Sequence, residues 1–221
     1  MFKVFQFIID WSEVWALLIP IFILLYKKKQ PAVMKPVVFY VWIAFVINLA
    51  IDVIWKFRTS LPSAYNSNNW LYNLHSVIRF FLFSAFFIRL HQSFLVTVKK
   101  IIPFCFIAFI LVNFSFYERF FDYWNLSSRL LSVEAILLLF YTLQYYLFKI
   151  NDDLDANIFS ADFWIVTGLG IFVTISFFIF LLHNELTLRL QNFAIISWKV
   201  HNISYIVFNL FIAKGFYESR E

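Results

Sequence analysis

A few ionisable and amide side chains stand inside long apolar runs of this chain, and they are the residues with chemistry to offer. The stretch Asn69 to Leu90, NWLYNLHSVIRFFLFSAFFIRL, is long enough to cross a bilayer, and it carries His75 and Arg79 one helical turn apart, on one face. A charge at membrane depth is unfavourable by roughly 3 kcal/mol or more on insertion scales, so such residues normally point into a bundle or a wet cavity. Asn48 and Asp52 repeat the one-turn spacing in a second run, and Glu134 lies inside another. The last apolar run holds Lys199, His201, Asn202, Tyr205 and Asn209, of which the final three recur at steps of three and four, a polar stripe that must face protein or water. With Asn73, these residues apart from Asn209 are the candidates for a ligand pocket.

A helix rises about 1.5 Å per residue, which converts position into depth. Measured from the outer end of each run, Asp52 is about 5 Å in, His75, Lys199, Asn48, Glu134 and His201 about 8 to 12 Å, and Arg79 about 14 Å. All fall in the same half of the bilayer. The opposite half is almost wholly apolar, Gln144 and Asn209 excepted. This distribution predicts a polar cavity open, or nearly open, on the extracytoplasmic side and closed below by a hydrophobic plug. A channel would need polar groups continued to the inner face. Internal ion pairs that fix helix register are the structural alternative. Under either reading Glu134 needs compensation at its depth, so its carboxylate is expected within direct or one-water reach of Arg79, Lys199, His75 or His201.

Three chemistries suit this residue set. A non-enzymatic receptor needs only the pocket, and then no cofactor is expected. A zinc site from His75 and His201, with Glu134 as third ligand or base, would satisfy ligand chemistry and give an outward-facing metal hydrolase acting on a lipid; no spacing demonstrates it, and the HxxxH pair of the ceramidase and adiponectin-receptor type is absent because Tyr205 follows His201 by four. Seven spans also suit the three-plus-one-plus-three small-solute transporters built from parallel repeats, although their Pro-Gln dipeptide is missing. The pairs Glu13/His75 and Glu134/His201 form one faint internal echo, each on the first and third helices of a triplet. Lys199 is poorly placed for a retinal Schiff base, with Ile195 where microbial rhodopsins carry an acid.

The elements that must position these groups follow from composition. With 62% hydrophobic and 14% charged residues, 32 Phe and 3 Gly in 221, the chain belongs to the membrane class. Its aromatic stripes are lipid-facing by default, and Trp11, Trp55, Trp70 and Trp124 read as interface anchors. The net charge of +5 resides in short basic clusters between apolar runs, the pattern of topology signals and not of nucleic-acid binding. A single cysteine, Cys105, permits no internal disulfide or CxxC site. The first apolar run lacks a small-residue cleavage site and reads as a span, not a cleaved signal peptide.

Seven runs have the length of a span: Phe5 to Tyr26 with a kink at Pro20, Val37 to Trp55, Trp70 to Leu90, Ile101 to Tyr117 as scaffold, Ser127 to Phe148, Phe163 to Leu182 with Thr167, Gly168 and Gly170 for close packing, and Phe193 to Ala213. The fold is therefore predicted to be all-α, a single seven-helix transmembrane domain over residues 1–221. Placing the Lys27 loop inside gives ten Lys and Arg on that side against six on the other, which orients the N-terminus out and the C-terminus in. No loop is long enough for a soluble domain, so partners are the bilayer and other membrane proteins, with the acidic loop around Asp152, Asp153 and Asp155 as a contact.

The pattern of NNWLYNLH in span three, an intramembrane Glu in span five, FWIVTGLGIF opening span six and SWKVHNISYIVFNLFIAKGF near the C-terminus resembles a set of seven-span bacterial integral membrane proteins often encoded beside sensor histidine kinases. The resemblance covers most of the chain but attaches no activity to any residue. It implies a multi-pass protein of the bacterial inner membrane and a signalling or accessory role beside a membrane kinase or another subunit.

Overall fold

The computed structural model describes residues 7–62, 67–90, 92–151 and 160–219, and among them the regular structure is entirely helical. In chain order the helices are α1 (Ser12–Tyr26), a 3-10 turn (Ala32–Met34), α2 (Lys35–Phe57), α3 (Asn69–Arg89), α4 (Val96–Phe116), α5 (Ser128–Asn151), α6 (Ala161–Arg189) and α7 (Gln191–Glu218). The helices α2 to α7 are long and apolar enough to cross a membrane, which makes the chain a multi-pass membrane protein. At 15 residues, α1 spans only about 23 Å, short of the roughly 30 Å of a hydrocarbon core.

The first apolar run is therefore not one uninterrupted helix over the described residues. Residues 7–10 are helical, Trp11 is a turn, and α1 starts at Ser12. Two side chains act at the break: the Ser12 hydroxyl donates to the Ile9 carbonyl at 2.7 Å and the Trp15 indole N–H donates to the Ile8 carbonyl at 2.8 Å. Side-chain bonds to nearby carbonyls compete with the helical ladder. Downstream, α1 runs through Pro20 as a single helix.

Packing closes a ring. Along it α1 meets α2, α2 meets α3, α3 meets α5, α5 meets α6, α6 meets α7, and α7 returns to α1. Helix α4 lies outside this ring against α3 and α5, and only 22% of its most apolar stretch is buried. The most extensive packing in the ring is between α6 and α7, joined through the single residue Leu190. Glycines allow it: a β-carbon on Gly215 would lie 2.8 Å from the Ala161 carbonyl oxygen and 2.5 Å from Ile165, and one on Gly168 would lie 2.4 Å from the Phe211 β-carbon. Gly170 serves no such approach, since its β-carbon would meet Thr142 at an ordinary 3.6 Å.

Below the polar half the interior is the expected plug, made by Leu17, Val41, Phe83, Phe87, Leu169 and Ile212 among others. Lys99, which precedes the predicted run Ile101 to Tyr117 and so falls in a basic stretch between spans, instead is the fourth residue of α4 and is 2% exposed. Its ammonium donates to the Phe87 carbonyl at 3.4 Å and the Gln92 side-chain oxygen at 3.1 Å, a cation at the carbonyl end of α3 where the helix dipole favours one. Lys27 does similar service for α7, donating to the carbonyls of Tyr217 and Ser219. The acidic loop of Asp152, Asp153 and Asp155, and the start of the first predicted span, lie outside the described residues.

Candidate functional site

Glu134 is the most completely buried of the ionisable candidates. It is fully buried on α5. Arg79 of α3 meets it with two bonds, Nε donating to Oε1 at 2.5 Å and Nη2 to Oε2 at 2.7 Å. The Ser76 hydroxyl, one turn earlier on the same face, donates to Oε2 at 2.6 Å. A planar guanidinium suits this two-point grip on a carboxylate, and the Phe172 ring 5.1 Å from the guanidinium carbon covers its face. Glu134 thus has one of its four expected partners, and the pair ties α3 to α5 where the ring closes.

Beside this pair is a chamber of about 20 Å³ bordered by Glu13, Asn48, His75, Arg79, His201 and Tyr205, room for about one water molecule. Asn48 on α2 donates to the Glu13 carbonyl at 3.1 Å and to the Tyr205 hydroxyl at 3.1 Å; that hydroxyl lies 3.4 Å from the Tyr40 hydroxyl. Tyr40 in turn stacks on His75 at 5.9 Å between ring centres. His201 has its Nδ1 3.1 Å from the Ser176 hydroxyl and packs between Phe172, Phe180 and Trp198. The zinc alternative built on His75, His201 and Glu134 finds no support here. Both Glu134 oxygens are committed to Arg79 and Ser76, and no group of three or more His, Cys, Asp and Glu among the described residues could hold a metal ion.

Above the chamber opens a vestibule of about 580 Å³ between α1, α2, α3 and the α6–α7 hairpin. Asp52, Lys199 and Asn202 line it, joined by Asp10, Glu13, Tyr72 and Trp198. Glu13 and Tyr72 belong to the walls of both spaces and divide one from the other. Tyr72 and Trp198 meet edge to face at 5.6 Å. Asn202 also donates to the Ile9 carbonyl at 3.1 Å, fastening the segment before α1 to α7.

The sequence candidates therefore divide. Asn48, His75, Arg79, His201 and Tyr205 border the inner chamber, Asp52, Lys199 and Asn202 the vestibule, and Glu134 stands behind Arg79. Asn73 joins neither. Its amide donates to the Phe120 carbonyl at 2.8 Å, while Asn69 and Ser67 donate to the Tyr123 carbonyl, each at 3.0 Å. The SNNWLYN segment is thus a clasp on the α4–α5 loop, which Asp122 orders further: the backbone N–H groups of Asn125 and Trp124 bond its carboxylate and hold it below the usual carboxyl range. Asp10, Glu13, Tyr72 and Tyr40 are the site residues that sequence reasoning left out. The Glu13/His75 and Glu134/His201 echo was the one signal for Glu13.

Compared with protein families, curated proteins and solved structures, the chain matches none. What defines it is the architecture: a multi-pass helical membrane protein whose polar groups gather at one end of the bundle, around a vestibule and a one-water chamber.

Proposed function

We propose that this chain is a ligand-responsive sensor or accessory subunit of the bacterial inner membrane, with seven spans, the N-terminus outside and the C-terminus inside. In this reading residues 7–10 and α1 together make the first crossing, and the vestibule faces the extracytoplasmic side. The observation that carries it is a vestibule of about 580 Å³, a volume ordinary for small-molecule sites, that adjoins only the one-water chamber, with the apolar plug below. The α6–α7 hairpin and α1 both line this space. A ligand that changes how they pack shifts the bundle between conformations by its differential affinity, and a membrane kinase or another subunit reads the result. Co-purification from native membranes in mild detergent tests this: a stoichiometric membrane partner is expected, and a strictly monomeric protein refutes it.

The helix ring favours a second reading as a small-solute transporter. Exchanging α1–α3 with α5–α7 carries the α3–α5 contact onto α7–α1 and leaves α4 outside, the arrangement of two parallel triplets about a linker. A saturable uptake into proteoliposomes would move the assignment there.

A further inference from the structure

The vestibule has a chemical bias. Three carboxylates, Asp10, Glu13 and Asp52, lie on its wall, and Lys199 is the one lysine or arginine among its described lining residues. Glu13 is only 6% exposed, and its Oε1 is hidden from solvent with no hydrogen-bond donor; the hidden Asp52 Oδ2 and the Oδ1 of Asn202, a residue 3% exposed, are in the same condition. All three orphans are acceptors. A buried acceptor without a donor is unfavourable, so an occupant that brings N–H groups or positive charge is favoured, whereas an anion adds like charge. The acids are spread along the wall and do not converge with histidine or cysteine on a metal-sized point, which favours a larger, diffuse cation. Beside them the edge-to-face pair of Tyr72 and Trp198 offers the aromatic surface on which alkylammonium groups rest.

We infer that the vestibule binds an organic cation, an ammonium-bearing ligand whose charge lies among Asp10, Glu13 and Asp52 and whose apolar body lies against Tyr72 and Trp198. This rests on the reading of the vestibule as a ligand site and names the class of ligand. Lys199, at the side of the hairpin, sets the limit: it repels a second positive charge, so a monocation is preferred to a dication.

The test uses the full chain in nanodiscs of phosphatidylglycerol, titrated with choline and with its uncharged isostere 3,3-dimethylbutan-1-ol, and read by calorimetry and tryptophan fluorescence. Saturable choline binding is expected, at least tenfold tighter than the isostere. Glu13→Gln should weaken choline at least tenfold. Asp52→Asn, on a half-exposed residue, supplies the same comparison should the Glu13 variant fail to fold. Discs containing phosphatidylethanolamine separate the sources: competitive loss of choline binding assigns a lipid headgroup amine, and unchanged binding assigns a soluble cation, each in keeping with ammonium recognition. Equal affinity for the isostere, displacement of choline by 3,3-dimethylbutyrate, or no choline binding overturns the inference. Failure here leaves a co-purifying partner in place, and absence of a partner leaves choline binding in place, so the two proposals fail separately.

Discussion

Replacing Glu134 by Leu while Arg79 remains leaves a guanidinium in the bundle without its counter-charge, and the size of the penalty follows from geometry. The two bonds at 2.5 and 2.7 Å put the charge centres about 4 Å apart, a separation worth about 4 kcal/mol at an effective dielectric near 20. Removing one partner of a buried pair typically costs about 3–5 kcal/mol. A typical hydrogen bond between transmembrane helices couples by only about 0.6 kcal/mol, so the two possibilities are well separated. Glu134→Leu is therefore expected to destabilise by about 3–5 kcal/mol. Glu134→Gln should cost less, because the amide still accepts from Ser76 and Arg79. The double change Arg79→Leu with Glu134→Leu removes both charges and should recover at least about 2 kcal/mol of the summed single losses. The assay is reversible unfolding in bicelles or nanodiscs for all four proteins of the cycle. Additivity of the single losses would refute the account of this pair as an electrostatic tie between α3 and α5, whereas a Gln variant as unstable as the Leu variant would show that the amide's hydrogen bonds add nothing to it.

Three further outcomes are expected. Gly215→Ala should destabilise by about 1–3 kcal/mol, because its β-carbon meets the Ala161 carbonyl oxygen at 2.8 Å and backbone cannot rotate away; Gly170→Ala, with Thr142 at 3.6 Å, should be neutral or slightly stabilising through helix propensity, and the same unfolding assay compares them. Asn73→Ala removes the clasp on the Phe120 carbonyl and should speed hydrogen exchange over residues 118–126 while leaving choline binding unchanged. In a Cys105→Ala background, Ser60→Cys should react with an impermeant maleimide from outside and Lys28→Cys only from the cytoplasmic face; the reverse pattern inverts the proposed topology.

Six of the seven predicted apolar runs are helices long enough to cross a membrane, and their order was legible because a bilayer demands a fixed length of apolar residues, which hydropathy measures directly; the first run holds the shorter α1. Helix ends were less legible, because hydropathy reports solvent and not backbone. The sixth run stops being apolar at Leu182, yet α6 continues to Arg189: His183, Asn184 and Glu185 leave the hydrocarbon without leaving the helix. Lys99 was misplaced for the related reason that a lysine reads as the end of a span, whereas here its amine finds the carbonyl end of α3. The break at Trp11 rests on two side chains reaching back to carbonyls, a local competition that no periodicity displays.

Within the site, depth was legible and azimuth was not. Glu134 was expected within reach of Arg79, Lys199, His75 or His201 because a charge at that depth has few other solutions, and Arg79 is the one that meets it. Lys199 fits the same depth test and Asn73 stood among the candidates, but their bearings around the helix axis send Asn73 to the α4–α5 loop and Lys199 to the vestibule. Glu13, near the start of an apolar run, entered only through the faint internal echo, yet the late start of α1 and the bond from Asn202 to Ile9 draw it inward. It ends 6% exposed between the two cavities. An acid placed there, with one oxygen lacking a donor, is held by the tertiary fold against its own preference for water, and that makes Glu13 the residue on which the cation inference is best tried.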